Sequence, residues 1–68
     1  MKFSKNQSLI IAYEYRIGNL IIYPGTYGIC HGEREGNVEV TVGSIGYLMP
    51  ENYLMTAEEY IKFKESQK

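Results

Sequence analysis

The chain has 68 residues, 44% of them hydrophobic and 22% charged, with a net charge of −1. A single domain this small buries only about 60% of the surface its unfolded chain exposes, so its core is thin. The charge balance is +2 over residues 1–16, −2 over 17–50 and −1 over 51–68; without a basic stripe, nucleic acid is a poor partner, because phosphate contacts supply most of that affinity.

Residues 1–7, MKFSKNQ, are polar and are expected to fray. The apolar run after Lys2 and Lys5 is only Leu9-Ile10-Ile11-Ala12. That is shorter than the about 7–15 apolar residues of a signal peptide and far short of a membrane helix. The single cysteine, Cys30, leaves no internal disulfide and fits a reducing compartment. These features predict a soluble cytoplasmic chain without a targeting segment.

SLIIAYEYR (8–16) is β-branched and aromatic and predicts a strand, with Leu9, Ile11, Tyr13 and Tyr15 on one face. Gly18-Asn19 predicts a tight turn, and LIIY (20–23) a second strand. Pro24-Gly25 suits the centre of a type II turn, since Pro fixes φ and Gly tolerates positive φ. TYGIC (26–30) predicts a third strand, in which Gly28 suggests a bulge or a close backbone approach. GEREGN (32–37) reads as a hairpin loop. VEVTV (38–42) is a strand with Val38, Val40 and Val42 inward. Gly43-Ser44 turns the chain into IGYLM (45–49), the fifth strand. PEN (50–52) predicts a short turn, and YLM (53–55) a few extended residues.

The period changes after Met55. Thr56 and Glu59 fit a capping box that opens a helix at about 57–66. Glu58 and Glu59 suit its positive end, and Lys62, Lys64 and Lys68 its negative end. Tyr60 and Ile61, or Phe63, are expected to dock it. The units are thus a flexible N-terminus (1–7), a five-stranded antiparallel meander (8–55), and a C-terminal helix and tail (56–68). A meander of short strands with kinking glycines predicts a mainly β fold, a small SH3-like or Tudor-like barrel with a short C-terminal helix. The alternative is an open sheet packed on that helix.

Little in the chain suggests chemistry. Cys30 and His31 are neighbours on a strand and point to opposite faces, so they do not form a nucleophile–base pair. His31 and Glu33 share a spacing, but one Cys, one His and no Asp leave a zinc site short of ligands. Gly43-Ser44-Ile45-Gly46 lacks the Lys-Ser/Thr of a phosphate loop. No cofactor, metal or enzymatic activity is expected. The seven tyrosines remain. They either replace missing large aliphatics, with hydroxyls reaching water, or form an exposed patch that docks a partner.

Two stretches carry a family resemblance. YRIGNLIIYPGTYGIC (15–30) resembles the opening of the RNA polymerase-interacting domain of CarD-type regulators and transcription-repair coupling factors, through Tyr15, Ile17, Gly18, Ile21-Ile22, Tyr23-Pro24, Gly25 and Gly28. Asn19 stands where that family usually has an acid, and the middle hairpin is shorter. YLMPENYL (47–54) looks like the segment that closes the family's Tudor-like barrel. AYEY (12–15) and Pro50-Glu51-Asn52-Tyr53 also echo SH3 domains, which reads as convergence on one barrel shape; Trp is absent, which argues against the usual aromatic proline-peptide groove. The resemblance implies a non-enzymatic protein-binding module that docks on bacterial RNA polymerase, in transcription regulation or as a phage or plasmid accessory factor. Tyr23, Tyr27, Ile29 and His31 are the expected contact residues, since the last three alternate on one strand beside the Pro-Gly turn. The alternative is a structural protein that assembles as a homo-oligomer; no membrane partner is expected.

Overall fold

The computed structural model describes residues 2–67; Met1 and Lys68, which belong to the predicted flexible terminus and helix tail, lie outside them. The elements are β1 (Ser8–Ile11), β2 (Tyr15–Ile17), β3 (Leu20–Ile22), β4 (Thr26–Arg34), β5 (Asn37–Val42), β6 (Ile45–Met49), a 3-10 turn (Glu51–Tyr53), β7 (Leu54–Met55) and α1 (Ala57–Glu65). They form a five-stranded antiparallel sheet, in the order β6-β5-β4-β1-β7, and a separate β2-β3 ribbon.

The sheet is not closed into a barrel. β6 and β7 are its two edges, and the ribbon pairs only with itself. The physical reason is length: β7 contributes two residues, Leu54 and Met55, and both are spent on β1. The inner face is covered by inserted side chains instead. Phe3 from the N-terminal segment and Ile22 from the ribbon complete a core of Leu9, Ile11, Cys30, Val38, Val40, Met49 and Leu54.

Three hairpin turns follow from the local sequence. Glu35 and Gly36 both have positive φ, 53° and 81°, the signature of a type I′ turn whose twist matches that of its strands. That two-residue turn lets β4 run to Arg34 and β5 start at Asn37, so most of the loop expected at 32–37 is strand. Gly18 and Gly43 take positive φ in the other two turns. At Pro24-Gly25 the expected type II turn forms: Gly25 has φ 94°, and the Thr26 N–H donates to the Tyr23 carbonyl at 3.2 Å.

Elsewhere the structure departs from expectation. The strand foreseen over 8–16 breaks at residues 12–14, and Ala12 is buried while Tyr13 is exposed. The Ala12 N–H donates to the Tyr53 carbonyl at 2.7 Å, so the chain bends there to meet the C-terminal segment. Gly28 marks a close approach and not a bulge. A Cβ on it would stand 2.6 Å from Val40 Cγ1. The register shift falls later, between Cys30 and Gly32. Residues 2–7 are not frayed: Phe3 is buried, and the segment is bonded to β4, the Asn6 N–H donating to the Cys30 carbonyl and the Cys30 N–H to the Gln7 carbonyl. A seven-residue stretch that looks polar on average hides one aromatic anchor.

α1 has its full capping box, with Glu59 N–H donating to Thr56 Oγ1 and Thr56 N–H to Glu59 Oε1. Tyr60 and Phe63 dock it, whereas Ile61 is 59% exposed. Lys2 ties the N-terminal segment to the C-terminal part, its N–H donating to Glu51 Oε2 at 2.8 Å and its ammonium standing 3.0 Å from Glu59 Oε2.

Candidate docking surface

The tyrosines separate into two groups. Tyr15, Tyr53, Tyr13 and then Phe63 and Tyr60 form a continuous chain of ring contacts, with centroids 5.5–6.3 Å apart. Such pairs each add about 0.5–1.5 kcal/mol beyond area burial, so these rings hold the bend, the 3-10 turn and α1 together. The Tyr15 hydroxyl donates to the Leu48 carbonyl at 2.9 Å, and Tyr47 packs against the core. These five tyrosines are structural. Tyr23 and Tyr27 are the two left over, 61% and 56% exposed and without a ring partner among the described residues.

Tyr27 lies on the outer face of the sheet. β4 alternates cleanly there: Gly28 and Cys30 are buried, Tyr27 is exposed and Ile29 is half-buried. Strand register then shows which residues share the face. Ile10 stands opposite Tyr27 and also opposite Met55; Ile29 stands opposite Ser8 and Thr41. Side chains at opposed positions lie about 4.5–5.5 Å apart at Cβ. An apolar strip therefore crosses three strands, Met55–Ile10–Tyr27, with Ile29 beside it. The Tyr27 hydroxyl lies 3.2 Å from Ser8 Oγ, an exposed contact on the same face.

Of the four expected contact residues, the structure puts Tyr27 and Ile29 side by side. Tyr23 sits at the corner of the Pro24-Gly25 turn, where its carbonyl accepts from Thr26 N–H and, at 2.6 Å, from Thr26 Oγ1. His31 is exposed, like Tyr27, and is the residue without a β5 partner at the register break between Cys30 and Gly32. Ile10 and Met55 were missed. Their place depends on which strands flank β4, and periodicity within one strand carries no such signal. β4 lies between β1 and β5, pairing with β1 over Thr26 to Ile29 and with β5 from Ile29 to Arg34, so the surface around Tyr27 is presented through the side chains of an interior strand.

Among the described residues, no group of three or more His, Cys, Asp or Glu could hold a metal ion, and no helix is long and apolar enough to cross a membrane. Two shallow grooves flank α1. The larger, about 490 Å³, is lined by Lys2, Glu51, Met55, Glu59, Lys62 and Phe63, and within it Lys2 pairs with Glu59 and donates its backbone N–H to Glu51. Comparison with protein-family models, curated proteins and solved structures finds no match to this chain.

Proposed function

We propose that this protein is a small non-enzymatic docking module that binds a larger protein through the outer face of its sheet. The observation that carries the reading is the strip Met55–Ile10–Tyr27 with Ile29, an apolar surface that ends on an exposed aromatic in an interior strand of the sheet. Exposed aromatics on rigid elements anchor interfaces at low entropic cost. Tyr23, at the adjoining turn, extends the surface, and His31 lies at its far end.

The proposed partner is bacterial RNA polymerase. Support comes from the likeness of residues 15–30 and 47–54 to the Tudor-like polymerase-interacting domains, together with the short-strand antiparallel architecture found here. On this reading the protein acts in the cytoplasm as a transcription-associated or phage or plasmid accessory factor. The test is a pull-down of tagged protein from bacterial lysate, followed by titration against purified polymerase. Wild type is expected to capture polymerase, and Tyr27→Ala and Ile29→Ser to lose it while remaining folded. Folded variants that bind polymerase as wild type does would overturn the placement of the site. Absence of polymerase from the wild-type capture would overturn the partner.

A further inference from the structure

The sheet's two edges are protected very unequally. β7 is two residues long and is enclosed by the 3-10 turn before it and α1 after it. β6 is five residues, Ile45-Gly46-Tyr47-Leu48-Met49, with no charge and no proline. Natural sheets blunt their edges with charge, proline, bulges, shortness or cover, and a strand without these templates pairing with another.

The free main-chain groups of β6 can be assigned. Val42 and Ile45 close the two-residue Gly43-Ser44 turn, so Ile45, Tyr47 and Met49 spend their amides and carbonyls on β5. Gly46 and Leu48 direct theirs away. The Tyr15 hydroxyl donates to the Leu48 carbonyl from outside the ladder, which agrees with that assignment and caps that end of the edge. The open part is centred on Gly46, itself exposed.

We propose that β6 pairs antiparallel with β6 of a second copy of this chain, about a two-fold axis at Gly46. The edge is self-complementary there. Each Gly46 N–H donates to the other Gly46 carbonyl, and Ile45 of each copy stands opposite Tyr47 of its partner, twice by symmetry. Ile45 is 57% exposed although it lies in phase with Met49, in the core, and Tyr47, packed against it. Pairing therefore covers an inward-facing residue that its own chain leaves open, by an aromatic–β-branched cross-strand contact. The isologous arrangement closes on itself and does not propagate. A net charge of −1 puts little repulsion between copies. The outer β4 face is left free, so this inference stands apart from the docking proposal.

The test is sedimentation across a concentration series on wild type, Gly46→Pro, Ile45→Lys and the control Ile61→Lys, with circular dichroism to confirm folding. The proline substitution removes an outward donor, a change tolerated on an edge strand. Wild type is expected to dimerise, Ile61→Lys to match it, and Gly46→Pro and Ile45→Lys each to weaken the dimer roughly tenfold or more, as loss of two hydrogen bonds or of the Ile–Tyr contacts requires. Amide exchange at Gly46 is expected to slow with rising concentration. A wild type that stays monomeric throughout would overturn the proposal. So would a dimer indifferent to Ile45→Lys, or one that only Ile61→Lys disrupts.

Discussion

The two faces of this sheet both carry large apolar residues and end differently. Leu9, Ile11, Cys30, Val38, Val40 and Met49 on the inner face are sealed, whereas Ile10, Ile29 and Tyr27 on the outer face are half-buried or exposed. The difference lies partly in the strands, since Ser8, Glu39 and Thr41 also fall on the outer face. It lies as much in what the rest of the chain covers: Phe3 and Ile22 are both spent on the inner side. A chain of this size has one set of covering side chains, and the face it leaves open is the candidate for another molecule.

The comparison breaks most sharply if the inner cover is removed. Phe3→Ala deletes a buried aromatic, which costs about 3–5 kcal/mol. A domain of this length holds only roughly 3–10 kcal/mol in total. Phe3→Ala is therefore expected to lose a large share of its stability, read as a strongly lowered midpoint in chemical denaturation at 25 °C. A variant as stable as wild type would mean that Phe3 does not close the core. Gly28→Ala comes next. Its Cβ would meet Val40 Cγ1 at 2.6 Å and the Thr41 carbonyl at 3.1 Å, and neither a β-branched side chain nor strand backbone yields easily. Overpacking of this kind costs about 1–3 kcal/mol, read as a lower denaturation midpoint with an unchanged slope.

The inner face was largely legible in the sequence. The alternation in 38–42 placed Val38 and Val40 inward, and Gly18, Pro24-Gly25 and Gly43 announced their turns because only certain residues supply those dihedrals. Thr56 and Glu59 announced the helix, since a capping box is a local event. What could not be read was non-local. Phe3 sits in a polar stretch, and its burial depends on a gap left by distant strands. The break at Ala12 answers to Tyr53, 41 positions away in the chain. The open sheet follows from the brevity of β7, which the turn at Pro50 and the helix start at Thr56 decide together. For the outer face, Tyr27 and Ile29 were visible as a pair, but Ile10 and Met55 needed the strand order, and the register break falls between Cys30 and Gly32, beyond the Gly28 at which the sequence suggested a bulge.

Smaller effects sharpen the comparison at its margin, where α1 docks. Thr56→Ala removes the cap and is expected to cost about 1 kcal/mol, seen as faster amide exchange confined to α1. Glu59 adds a pH dependence. Its carboxylate accepts from the Thr56 N–H, which holds its pKa below the ordinary 4.5, with the Lys2 ion pair acting in the same direction. A pKa depressed on folding means stability that is present above the unfolded value and lost as pH falls through the folded one. Helicity of α1 is therefore expected to decline below about 4.5, and Glu59→Gln to flatten that decline. A decline unchanged in Glu59→Gln would assign the acid response to other carboxylates.

The smallest expected effect on stability is on the open face, and there the smallness is the point. Tyr27 makes one hydroxyl contact, to an exposed serine, and its ring has no aromatic neighbour among the described residues. Tyr27→Ala is expected to change stability by no more than about 0.5 kcal/mol, as for other surface positions. Ile29 is half-buried, so Ile29→Ser costs more, but it leaves the inner core untouched. If Tyr27→Ala destabilised the fold as a core deletion does, the outer strip would be a second core and its exposure would need no partner. If it leaves stability intact and abolishes binding, the residue is held on the surface by something other than folding, because a large aromatic exposed on a paired strand gives its own chain little in return for its ordering.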